Sequence, residues 1–229
     1  MVRSGRQLPL SFPETLLDFD AMEQTPANAR IISALRDVER WTQPALLLVG
    51  SEKSGLTTLA AAWAAEQHGL YLDATSEQDF SNLFPDDVVG ESVAIDNAES
   101  IADESWLLNE LSSINRVGGR LLLTANRPPS EWTLNSPDLR SRLLAIPIVD
   151  LGPPDDALMR ARLRRAMSRF GVNLPVQVED YLVVRLGLSY TAIEDTVKIL
   201  AGAAGGRRAL TVPLARNALE NVADREEGA

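Results

Sequence analysis

The sequence predicts an α/β protein: a core with a parallel five-stranded sheet around a phosphate-binding loop, then a smaller all-helical unit. Three observations carry that expectation. The apolar run Ala45-Leu46-Leu47-Leu48-Val49 feeds a glycine-framed loop, Gly50 to Thr57, and then a strong helix former over 58–66. Strand-like apolar runs alternate with helical patterns as far as Asp150. Beyond Gly152-Pro153-Pro154 everything reads as helix.

Residues 1–15 contain proline and no helical period, so they read as an extended arm. Thr25-Pro26 starts a helix, with Thr as N-cap, Pro at the first helical position, and Ala29, Ile32, Leu35 and Val38 as its apolar face. Strands are expected at 46–49, 70–73, 92–96, 120–124 and 145–149, with helices at 59–67 and 104–114 between them. Helices follow at 155–170, 176–186, 190–201 and 212–221, and the tail at 224–229 is expected to fray. The expected division is an arm (1–15), an α/β core (16–150) and a helical lid (151–229).

Composition narrows the chemistry. With no cysteine and one histidine, His68, the chain offers no thiolate site, no zinc cluster and no Ser-His-Asp triad. His68, followed by Gly69, reads as the neighbour of a helix C-cap. A net charge of −10 opposes direct binding to DNA, which needs clustered Lys and Arg against phosphates. Arg160, Arg162, Arg164, Arg165 and Arg169 do cluster, as a solvated helix face or as a phosphate or partner contact. No apolar run reaches membrane-spanning length, the N-terminus lacks a signal-peptide core, and the cytoplasm is the expected address.

The loop Gly50-Ser51-Glu52-Lys53-Ser54-Gly55-Leu56-Thr57 keeps the frame G-x-x-x-x-G-K-[ST] except at one position, where Leu56 stands for the lysine. Such loops aim backbone N–H groups at phosphate oxygens from a helix N-terminus. The lysine neutralises phosphate charge and the hydroxyl ligates Mg²⁺. Gly50, Ser54, Gly55, Leu56, Thr57 and Thr58 are therefore the candidate nucleotide-binding residues, for ADP or ATP, with Thr57 a candidate Mg²⁺ ligand. A plain strand-to-helix turn that binds nothing is the alternative.

Several segments together resemble the AAA+ ATPases, and within them the DnaA replication-initiator branch. Leu121-Leu122-Leu123-Thr124-Ala125-Asn126-Arg127-Pro128-Pro129 is similar to that branch's sensor 1 strand, which makes Asn126 a candidate nucleotide contact. Asp138-Leu139-Arg140-Ser141-Arg142-Leu143 resembles its arginine-finger segment. Asp18-Phe19-Asp20 with Asn28 and Ala29 resembles the adenine-pocket flank. On the arm, Gln7-Leu8-Pro9-Leu10-Ser11-Phe12 resembles the peptide by which partners bind the bacterial sliding clamp: Gln7 would anchor polar contacts while Leu8, Leu10 and Phe12 fill apolar pockets. These three apolar side chains could instead pack on their own core. The chain stops at residue 229, where DnaA would continue into its DNA-binding domain. The combination looks like the Hda-type regulators of the DnaA family. That resemblance implies a clamp-docked partner of DnaA that promotes hydrolysis of DnaA-bound ATP; many members bind ADP.

The chain departs from the family's catalytic pattern in three places. Leu56 replaces the lysine. In Val93-Ala94-Ile95-Asp96-Asn97, Asp96 could still hold Mg²⁺, but Asn97 replaces the second acid and cannot take a proton from water. Thr191 stands where the sensor 2 arginine would be. Losing charge-stabilising groups costs on the order of 10² in rate for each, so little intrinsic ATPase activity is expected. Arg142 needs nothing from its own pocket: a finger acts in a neighbouring subunit's site, worth on the order of 10³ or more. It could also be a surface loop arginine paired with Asp138. The competing reading is a helicase-loader-like P-loop ATPase that uses Lys53 as an unusual lysine. Self-association into a homodimer stays open.

Overall fold

The computed structural model describes residues 18–76, 92–204 and 210–227; the arm with Gln7, Leu8, Leu10 and Phe12 lies outside them. The described residues form two compact units. The first comprises 18–22, 31–50, 55–76 and 92–150; the second comprises 23–30, 51–54 and the described part of Leu151–Ala229.

The first unit is built on five parallel strands: β1 (Ala45–Val49), β2 (Leu70–Asp73), β3 (Val93–Asp96), β4 (Leu121–Ala125) and β5 (Ile148–Asp150). Their order is β2-β3-β4-β1-β5. β1, β3 and β4 are buried along their whole length, which is why Ala45–Val49, 93–95 and 121–123 read as apolar runs in the sequence. Because β1 lies between β4 and β5, the chain reverses its direction of travel across the sheet beside β1, and the loop after β1 leaves from that switch point. In open α/β sheets, ligands bind at the carboxyl end of such a crevice.

Helix α2 (Leu56–Glu66) packs on β2, β3 and β4. Four of its five alanines, at 60, 61, 62 and 64, are buried together with Trp63, and their small side chains allow the helix to lie close on the sheet. At its C-terminus His68 itself takes the left-handed conformation, φ 51°. Gly69 is required for a different reason: a Cβ there would sit 2.1 Å from the Ser92 carbonyl oxygen. Helix α3 (Glu104–Val117) is capped by Asp103, whose carboxylate accepts from the Trp106 N–H at 2.9 Å.

Three expectations need correction. Helix α1 (Ala29–Arg36) starts later than Pro26, because Asn28 folds its side-chain oxygen back onto the Thr25 N–H, 2.8 Å, and holds residues 26–28 as turns. A helix not expected from sequence, α4 (Pro137–Ala145), precedes the last strand; Ser136 caps it by accepting from the Leu139 N–H, and Pro137 occupies its first turn. The last strand therefore begins at Ile148 rather than at 145, since Ala145 ends α4.

The second unit has its own core. Helices α5 (Asp156–Ser168), α6 (Val176–Leu186), α7 (Tyr190–Ala204) and α8 (Val212–Glu227) enclose Met159, Leu163, Met167, Leu182, Ile193 and Leu200. Asp155 caps α5 by accepting from the Leu158 N–H at 2.7 Å, and its other oxygen accepts from the Ala27 N–H at 3.0 Å. Among the described residues, no helix is long and apolar enough to cross a membrane.

Candidate nucleotide site and arginine finger

In the first unit the carboxyl ends of β1, β3 and β4 bring Gly50, Asp96 and Asn126 to one edge of the sheet. The Gly50 N–H donates to the Ala125 carbonyl at 3.2 Å, extending the β1–β4 ladder by one step. The Asp96 side chain is 1% exposed, and both its oxygens are met by hydroxyls: Tyr71 donates to one at 2.9 Å and Thr124 to the other. Burial, with the adjacent Asp96 charge, pushes the Tyr71 phenol well above its ordinary range.

Asn97, φ 55°, directs its amide back to Asp73 at 3.0 Å. Burial raises the Asp73 pKa, but hydrogen bonds from the Thr75 N–H, the Asn97 amide and the Thr75 hydroxyl outweigh it and hold the group below its ordinary value. Asn126 is engaged as well: its N–H and its amide both donate to the same oxygen of Glu99, at 2.8 and 3.2 Å.

The loop keeps its backbone form. Gly55, φ 99°, is the N-cap of α2, a conformation that side chains avoid, and the first amides of α2 have no partner within the helix. Leu56 is turned inward, 7% exposed, while Thr57 is exposed and Thr58 half-buried. Within the second unit the crown of the loop is held by helices. The Ser54 N–H closes a turn onto the Ser51 carbonyl, 3.1 Å, and Ser54 itself is 2% exposed with its hydroxyl unpaired. The Lys53 ammonium lies 3.4 Å from Asp195 on α7. Arg162 of α5 donates to the Lys53 carbonyl at 2.7 Å and to the Ser54 carbonyl, with its guanidinium 4.5 Å from the centre of the Tyr190 ring. Thr191 is exposed in the first turn of α7.

Within the first unit, the first amides of α2, which have no partner within the helix, fit a backbone-held anion such as a nucleotide phosphate, and Thr57 is exposed; Leu56 brings no charge, the Asp96 oxygens accept from hydroxyls, and Asn97 is turned to Asp73.

Arg142 lies in the last turn of α4, its side chain 45% exposed. Asp138, one turn earlier, accepts from its Nε at 3.2 Å, and the Ser112 hydroxyl on α3 accepts from its guanidinium at 3.1 Å. The Asp138 pair foreseen for Arg142 is made, but on a helix and not in the expected loop.

Three of the five clustered arginines, Arg160, Arg162 and Arg164, have internal partners. Arg160 pairs with Asp180, and Arg164 pairs with the buried Glu179 and with Glu23. Arg162 is the site residue that sequence reasoning missed; burial lowers its pKa, opposed by Tyr190 and Glu194. Its loop contacts are 108 and 109 positions away, so no local pattern announces them.

A parallel sheet in this order, with a glycine loop after β1 and a helical C-terminal unit, defines the AAA+ fold. Comparison with solved structures agrees. Domain III of the Thermotoga maritima replication initiation protein DnaA superposes with a TM-score of 0.66 at 14% identity, over 89% of this chain and 95% of that one. A replication initiator DnaA bound to AMPPCP and single-stranded DNA gives 0.59 at 16% identity, over 80% of this chain and 64% of that one. The Thermotoga maritima RuvB Holliday junction branch migration motor gives 0.66 at 18%, over 89% and 71%. No protein-family model matches the chain.

Proposed function

We propose that this protein is a DnaA-related regulator of replication initiation of the Hda type, one that acts on a partner's nucleotide rather than its own. In this reading the arm segment Gln7–Phe12 docks on the sliding clamp, and Arg142 is supplied in trans to the ATP site of DnaA. The observation that carries it is a contrast between two places in the chain. Leu56, Asn97 and Thr191 stand where groups that would serve hydrolysis at its own loop belong, whereas Arg142 is kept, 45% exposed on a capped helix.

Asp138 and Ser112 hold the Arg142 side chain in a defined direction with donors to spare, since a guanidinium carries five N–H groups. A pre-positioned guanidinium stabilises developing phosphoryl charge without first paying for its own ordering. A nucleotide held by the loop backbone would play a structural part. The helicase-loader alternative needs Lys53 at the phosphates; its pairing with Asp195 speaks against that role.

Clamp docking is tested by binding of the purified chain to the sliding clamp, compared with a Gln7→Ala, Leu10→Ala double variant. Micromolar or tighter binding that the variant loses supports the reading. Absence of binding by the parent removes its clamp-docking half.

A further inference from the structure

In this loop Leu56 stands where a lysine would follow Gly55. Arg162 reaches the loop with a forked guanidinium that spans two consecutive carbonyls, those of Lys53 and Ser54. Peptide planarity converts this into a statement about amides: a carbonyl held one way turns the N–H of the same peptide the other way. The Lys53–Ser54 peptide then directs its N–H to the Ser51 carbonyl, closing the turn at 3.1 Å. The Ser54–Gly55 peptide is fixed just before the left-handed Gly55 that opens α2. The guanidinium is immobilised in turn by the face of Tyr190, and Asp195 holds Lys53 from the same helix, α7. Arginine suits this place because its planar fork can serve two acceptors at once, which an ammonium on a flexible stem cannot do as well.

We propose that Arg162 is the positioning residue of the phosphate loop: it grips the loop's carbonyls, so that the loop holds its form without a ligand. The proposal is independent of the clamp and of DnaA. It is also distinct from the role given to Arg142, so failure of either leaves the other standing.

Amide hydrogen exchange of the purified chain, read over a peptide spanning 50–58 without nucleotide, tests it. In the parent, the Ser54 amide exchanges slowly, and added ADP changes the rate less than about twofold. Arg162→Met is expected to speed exchange in that peptide about tenfold while β4 and the cores of α6 and α7 keep their protection. Arg162→Lys, able to reach one carbonyl well, is expected to fall between, at about threefold, and it decides the matter if Arg162→Met fails to fold. Parent-like exchange in the folded variants would overturn the proposal. So would acceleration spread evenly over α5, α6 and α7, because Arg162 would then be bracing the helical unit and not the loop. A parent loop that is protected only when ADP is added would overturn it too.

Discussion

Restoring the lysine, Leu56→Lys, separates the two demands placed on this loop. Leu56 is 7% exposed in the first turn of α2, so the substitution removes a buried leucine worth about 1.5–3 kcal/mol. It also places a positive charge at a helix N-terminus, at a cost of about 0.3–1 kcal/mol. The lysine stem recovers part of the loss by running along apolar surface with its ammonium outside. A net destabilisation of about 2 kcal/mol is expected without ligand. In a chain of 229 residues that is a fall of roughly 4–8 °C in unfolding temperature. If the loop receives a phosphate, the new ammonium adds a charge-assisted bond and ADP should bind roughly tenfold tighter than to the parent. At an ADP concentration 100-fold above the variant's dissociation constant, ligand linkage returns about 2.7 kcal/mol to the variant and about 1.4 kcal/mol to the more weakly binding parent, so the deficit between them shrinks by about 1.3 kcal/mol. Calorimetric melting with and without ADP, together with a binding titration, reads both terms. A variant as stable as its parent would refute the burial argument. A destabilised variant with no gain in ADP affinity would refute the loop's role as a phosphate site.

Other expectations follow from the buried polar groups and from the close approach at Gly69. Tyr71→Phe removes one of the two hydroxyls on the buried Asp96 carboxylate, and an unfolding midpoint lower by about 1–3 kcal/mol is expected. The same variant has a pH signature. Because the folded-state phenol pKa is raised above the ordinary value of 10.0, its contribution is fully present below about pH 10 and is lost as the pH rises beyond it. Urea midpoints at pH 8 and above pH 10 should therefore diverge in the parent more than in Tyr71→Phe. Gly69→Ala drives a Cβ to 2.1 Å from the Ser92 carbonyl, so a loss of about 1–3 kcal/mol is expected; an unchanged melting temperature would contradict the strand spacing there.

What could be read from the sequence was whatever is encoded locally. The buried strands announce themselves because a parallel strand covered on both faces has no polar alternation, as Leu46–Val49 and Leu121–Leu123 show. The last strand was misplaced because it is an edge strand with Ile148 46% exposed, so no buried run marks it. Helix α4 carried its start signal in Ser136-Pro137, but Leu139 and Leu143 alone are buried, too narrow a stripe to stand out among Asp138, Arg140 and Arg142. At the site, the missing lysine and missing acid were visible as letters. What the remaining side chains do instead was not: Asn97 to Asp73, Lys53 to Asp195 and Arg162 to the loop are contacts across 24, 142 and 108–109 positions. Such pairings are products of the fold and leave no periodic trace in the chain.

The central claim, that Arg142 acts on the ATP of a partner, is tested most directly by hydrolysis of ATP pre-bound to DnaA, with the clamp loaded on DNA. The parent chain is compared with Arg142→Ala and with the conservative Arg142→Lys. The account predicts stimulation by the parent, a loss on the order of 10³-fold or down to background with Arg142→Ala, and little rescue by lysine. Clamp binding and melting temperature should stay close to the parent's, since the exposed Arg142–Asp138 pair contributes at most about 1 kcal/mol. Full stimulation by Arg142→Ala would contradict the claim.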